Sequence, residues 1–258
     1  MKRMAKGRGW TRDELVVAMN LYCKTPFGLL HERNPVIIAL AERLDRTPGS
    51  LAMKLCNLAS LDPVQQARGI KGLSAVSVAD RAVWHEFHQD WAKLAFESER
   101  LLAQFTGRKL EEVAEIDERE LPKQGLERQR MVRVRVNQYF FRATVLAAYD
   151  FKCCITTLAV RELLVASHIV PWANDPKQRM NPRNGLCLNA LHDRAFDRGL
   201  MFIGADMTVR FREKLLCSEE RNPGLDWLLA YEGKPICMPR RFKPDEALLS
   251  LHRSVNGL

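Results

Sequence analysis

The chain has 258 residues, 47% of them hydrophobic, and its 40 lysines and arginines outnumber 31 acids for a net charge of +9. That length accommodates one large domain or two small ones, and no apolar run approaches the ~20 residues of a membrane span. The basic opening MKRMAKGRGW has no apolar stretch behind it, which argues against a secretory signal.

A soluble cytoplasmic protein with no membrane partner is therefore expected, and its positive charge suits a polyanion such as nucleic acid. The seven cysteines are odd in number and include no Cys-x-x-Cys pair. That argues against a disulfide framework and a four-cysteine zinc site.

In chain order, Thr11-Arg12-Asp13-Glu14 has the form of a capping box, followed by Leu15, Ala18, Met19 and Tyr22 at helical spacing. A second helix is predicted from Pro35 through VIIALAERLDR, then a TPGS turn whose serine can cap, then a third helix in LAMKLCNLASL. Helix, short turn, helix is the shape of a helix-turn-helix, and the opening W-T-x-x-E-L…Y resembles small Myb-like domains. Such units place a helix in the DNA major groove. Arg46, Ser50 and Lys54 are the side chains expected to reach DNA, and an ordinary helical hairpin is the alternative.

Residues 80–104 are predicted to form one amphipathic helix with Trp84, Phe87, Trp91 and Leu94 as its packing stripe. His85 and His88, three apart, are read as a solvated face rather than a metal pair. From Leu110 to Glu120 six acids face one arginine, and from Glu127 to Arg142 five arginines face one acid. A switch that sharp marks a boundary between units. Val132-Arg133-Val134-Arg135-Val136 alternates with period two, which predicts a strand with Arg133 and Arg135 on one face. YFFRATVLAAYDF then reads as a helix. The expected organisation is a helical, DNA-binding domain over 1–105, a linker over 106–126, and a second domain over 127–258.

That second domain carries three polar landmarks. His168 ends a short apolar strand, in SHIVPW. Asn184 sits in the turn NPRNGL. His192 lies in NALHDRAFDRG, which reads as a short helix closed by Gly199. Separately, each has an ordinary structural reading: a satisfied histidine, a turn, a charged helix. A hairpin, MFIGADMTVRF, and one or two short helices follow. His252 has no motif around it.

In that order and spacing, C-x-x-T…A-S-H-I-x-P-W…N-G-L…L-H-x-x-F-D-R-G resembles the HNH endonuclease family, in its restriction-type subgroup. The likeness runs from about Gln129 to Ile203. It implies a C-terminal ββα-metal finger, and with the N-terminal all-α helix-turn-helix or Myb-like unit the expected fold class is α+β. The implied activity is metal-dependent hydrolysis of duplex DNA, plausible in restriction or defence. By resemblance His168 is the general base, suited to take a proton near pH 7. His192 is then a metal ligand, and Asn184 orients the loop around His168, although in some relatives this residue reaches the metal. The implied ion is Mg²⁺ or Mn²⁺, with Zn²⁺ or Ni²⁺ compatible with an imidazole ligand.

Ser167 stands where many members carry Asp or His as a second ligand, and a hydroxyl ligates weakly. Asp197 and Asp193 are the candidate carboxylates, Asp197 being favoured because FDRG belongs to the subgroup pattern. On a helix His192 and Asp197 point about 140° apart, and Asp193 about 100° from His192. Arg194 and Arg198 could meet phosphate oxygens. Pro171 and Trp172 are expected to shape the loop beneath His168, and Cys153 and Cys187 to be core residues without a structural zinc. Restriction-type nucleases often use two active sites, so a homodimer is compatible. A degenerate DNA-binding finger, or a nuclease of RNA or branched DNA, are the alternative readings.

Overall fold

The computed structural model describes residues 8–69, 76–171 and 178–257. Trp172 lies outside them. The chain is α+β, rich in helix, with two small antiparallel sheets. It divides into two compact units, Met1–Ala148 and Tyr149–Leu258.

The first unit is helical: α1 (Arg12–Lys24), α2 (Pro35–Arg43), α3 (Pro48–Ala59), α4 (Pro63–Ala67), α5 (Val78–Gln89), α6 (Trp91–Thr106), α7 (Leu110–Val113) and α8 (Gly125–Ala148). Helix α1 starts in the capping box read from the sequence, with Thr11 and Glu14 reciprocally bonded. Every residue from Glu14 to Cys23 is buried. A helix apolar on most of its faces belongs in a core, and α3, α5, α6 and α8 pack around it.

Three expectations change here. Residues 80–104 are two helices, because Asp90 leaves helical geometry at φ −148° and caps α6 through Lys93 N. The TPGS turn is capped by Thr47, which accepts from Ser50 N, and Pro48 opens α3. Val132–Val136 is not a strand but the middle of α8. Five alternating residues also fit a helix, and Val136, Phe140, Thr144 and Ala148 continue it as a buried i, i+4 row. The acid-to-arginine switch consequently falls within the first unit, and the boundary between units lies at 148/149 rather than 126/127.

Arg46 and Lys54 do not present themselves for DNA. Arg46, 8% exposed, bonds Glu14 at 2.9 Å and the carbonyls of Arg8 and Gly9. Lys54 pairs with fully buried Asp80 at 2.9 Å. Breaking either pair would strand a buried carboxylate, so both cations are structural. Ser50 is at the first turn of α3.

The second unit begins with β1 (Leu164–His168) and β2 (Gly185–Asn189), paired antiparallel with His168 opposite Gly185. Helix α9 (Ala190–Asp197) follows directly and packs on both strands, giving a ββα arrangement. Gly199 ends the helix at φ 59°, a left-handed position that favours glycine. A side chain there would also strike Asn256. Then come the hairpin β3 (Met201–Ile203) and β4 (Val209–Phe211), α10 (Glu213–Leu216), α11 (Pro223–Leu229) and α12 (Glu246–Val255). Cys153, Cys154 and Cys187 are buried, with Cys154 N bonded to the Cys187 carbonyl. Among the described residues no helix is long and apolar enough to cross a membrane.

Candidate active site

Alternation along β1 sends Ser167 and His168 to opposite faces. Ser167 is 2% exposed and its hydroxyl has no partner. His168 ends the strand half-buried, with Nε2 2.9 Å from the Arg179 carbonyl oxygen. A carbonyl only accepts, so Nε2 carries the proton and Nδ1 bears the lone pair in the neutral ring. Burial holds the imidazole below its usual pKa, and the Arg179 bond opposes that partially. Burial therefore favours the neutral ring, with its lone pair on Nδ1.

The 3₁₀ turn Pro182–Asn184 is capped by Asn181, which accepts from Arg183 N. The turn brings Asn184 back to the chain just beyond His168. The Asn184 carbonyl accepts from Ile169 N at 2.9 Å. Its side chain accepts from Val170 N at 2.8 Å and donates to the carbonyls of Val170 and Gln178. Asn184, 1% exposed, thus clamps the segment leaving His168 on both backbone polarities.

His192 sits in the first turn of α9, fully buried. Asn189 caps that helix: its Oδ1 accepts from Leu191 N and His192 N, which orients Nδ2 toward His192 Nδ1 at 2.9 Å. Nδ1 therefore accepts, and the proton of the neutral ring is on Nε2. That Nε2 has no hydrogen-bond partner. Trp227 and Tyr231 flank the ring, both at 5.3 Å between centroids. Desolvation lowers the His192 pKa to about 4.

A cavity of about 360 Å³ lies beside His168, and Asp197, His252 of α12 and Asn256 just after it also line it. The Asp197 carboxyl is raised by desolvation and by Asp193. The structure thus brings His168 and Asp197 to one cavity and seats His192 beneath Trp227 and Tyr231. Arg194 on α9 and Arg198, the residue that ends it, are exposed. Arg133 and Arg135 are exposed on α8, where a two-residue step separates them by about 160°. Arg133 lies over Phe96 and Arg135 pairs with Glu120 at 3.3 Å. His85 and His88 are exposed, His88 stacking on Trp84.

Sequence reasoning missed Asn189, Trp227, Tyr231 and His252. Asn189 was findable as an asparagine immediately before an amphipathic helix. The others lie far along the chain, with nothing local to mark them.

The buried histidines predict acid sensitivity. His168, His192 and His252 are all held below the usual imidazole value by burial. Depressed folded-state values favour the neutral ring, so stability is complete above the unfolded value near 6.5. It is lost as pH falls toward 4, because the unfolded chain binds protons that the folded chain does not. His192 alone contributes a loss of about 3 kcal/mol across that window. Urea midpoints at pH 7, 5.5 and 4 check this, and His192→Asn should flatten the decline.

Residues 153–204 match a family described as HNH endonuclease. No curated protein and no solved structure matches the chain. HNH nucleases generally use a divalent metal. The described residues do not fit a resident ion. Among them no group of three His, Cys, Asp or Glu side chains could hold one. The Asn189 cap also leaves a proton, not a lone pair, on the buried nitrogen of His192. Ser167, Asp193 and Asp197 therefore do not complete a ligand set with His192 in this conformation.

Proposed function

We propose, from the HNH endonuclease match over residues 153–204, that this chain is a DNA endonuclease whose general base is His168. The observation that carries the reading is the neutral imidazole at the end of β1. Its Nε2–H is held by the Arg179 carbonyl, and Asn184 fixes the backbone beyond it. Such a ring takes a proton from water at Nδ1 while the water oxygen bonds to phosphorus, one bridging P–O bond breaks, and the departing sugar oxygen takes a proton from solvent.

His192 supplies a donor. Its Nε2–H is buried without a partner, and a phosphate oxygen satisfies it once Trp227 and Tyr231 move aside. Arg194 and Arg198 add charge for the substrate backbone, and Arg133 and Arg135 do the same from α8. Restriction or defence against foreign DNA is the setting we propose for this activity.

The test is incubation with supercoiled plasmid, single-stranded oligonucleotide and structured RNA, each with Mg²⁺, with Mn²⁺ and with EDTA. Nicked or linear plasmid is the expected product. Duplex DNA bound but left intact under every condition would support the inactive DNA-binding reading, and preferential loss of the RNA would change the substrate class.

A further inference from the structure

We propose that the cavity beside His168 seats one unstacked nucleobase of the substrate strand and reads it through its N–H donors. The inference rests on the nuclease reading of His168, which places the strand at the cavity mouth.

Size is the first argument. At about 360 Å³ the cavity lies at the low end of ligand sites, which run about 300–1,000 Å³. That is space for a single base rather than a longer segment. Its walls suit an aromatic ring: Ile169 and Val170 come from the segment after β1, and Leu251 and Val255 from α12.

The second argument is His252, a histidine that the cleavage chemistry does not use. It is 6% exposed, and its ring stacks on Phe196 at 3.9 Å with the planes 1° apart. Nε2 donates to the Phe196 carbonyl oxygen at 3.4 Å. The lone pair of the neutral ring is then on Nδ1. That atom is buried with no hydrogen-bond partner, in a residue that lines the cavity. Buried polar atoms are nearly always satisfied, and this orphan lies just behind the cavity wall, where a donor reaches it once the wall shifts.

The polarity of the lining sets the ligand. His252 Nδ1 accepts, and the Asp197 carboxylate accepts when ionised. A matching occupant presents donors. Guanine offers both a ring N–H and an amino group, adenine and cytosine one amino group each, and thymine a lone ring N–H. The expected preference is guanine first and thymine last. Extruding a base costs unstacking energy, which is smallest for an unpaired or damaged base.

The experiment uses 2-aminopurine, which carries the amino donor and brightens when unstacked. It is placed at successive positions of a duplex oligonucleotide that the full chain binds. Binding is read on the full chain in a His168→Ala background, which stops cutting. A several-fold rise at one position flanking the cut is expected. It should be lost in Val255→Phe, which fills the cavity from a 65%-exposed site that tolerates bulk. It should be lost also in His252→Phe, which keeps the stack on Phe196 and removes the acceptor. No rise at any position, or a rise indifferent to both variants, overturns the pocket. Wild-type cleavage of the same oligonucleotides is scored in parallel. Cleavage without a base signal refutes the pocket and leaves the nuclease standing. A base signal without cleavage refutes the nuclease and keeps the pocket as a binding site.

Discussion

His168→Ala is expected to lower the proposed DNA cleavage by about 10²–10⁴-fold in kcat, for the loss of a general base, while the protein stays folded. The expectation of intact folding follows from position. His168 ends β1, is only half-buried, and the substitution removes its bond to the Arg179 carbonyl. A single lost hydrogen bond of this kind costs about 1 kcal/mol, well inside the stability of a typical domain. His168→Gln is the sharper variant, because an amide keeps a donor for the Arg179 carbonyl but cannot take a proton near neutrality. It should be as inactive as alanine and closer to wild type in its urea midpoint. Wild-type activity should hold through neutral pH and fall on the acid side below the usual imidazole value. Burial holds the His168 pKa down, so the base stays deprotonated further into acid. Cutting by either variant at the wild-type rate would remove His168 from the mechanism.

The parts of the site legible in the sequence are those whose signal is local. SHIVPW, NPRNGL and NALHDRAFDRG each name their own element, and β1, β2 and α9 form where those segments stand. The HNH likeness read from them agrees with the family match over 153–204. Illegible were the interactions that long-range packing decides. Five Val/Arg alternations satisfy a strand and a helix equally, and only the buried row from Val136 to Ala148 resolves them. Arg46 and Lys54 look like surface cations until Glu14 and Asp80 arrive from elsewhere in the fold. His252 has no motif because its meaning comes from Phe196, 56 residues earlier. The likeness also supplied a ligand role for His192 that the Asn189 cap, three residues away, turns toward donation.

Asn184→Ala should cost both stability and activity, and the two losses have separate causes. The side chain is 1% exposed and satisfies three backbone groups: Val170 N–H, Val170 C=O and Gln178 C=O. Alanine deprives a buried segment of those partners, at about 1–3 kcal/mol for each group left unsatisfied. Water entering the vacated space recovers part of that, so a net loss of about 3 kcal/mol is expected, read as a lowered urea midpoint. Activity falls because Val170 is two residues beyond His168, and a shift of about 1 Å in a reacting group can cost 10²-fold. Asn184→Asp separates the causes. A carboxylate still accepts from Val170 N but opposes the two carbonyls that the amide donated to, so one anchor of three survives. Its kcat should lie below wild type even at temperatures where both proteins are fully folded, with KM for DNA little changed. A kcat that returns to the wild-type value once folding is restored would make Asn184 a stabilising residue only. A kcat that stays low in the folded variant assigns it to positioning His168, since its side chain reaches the backbone beyond the base rather than the base itself.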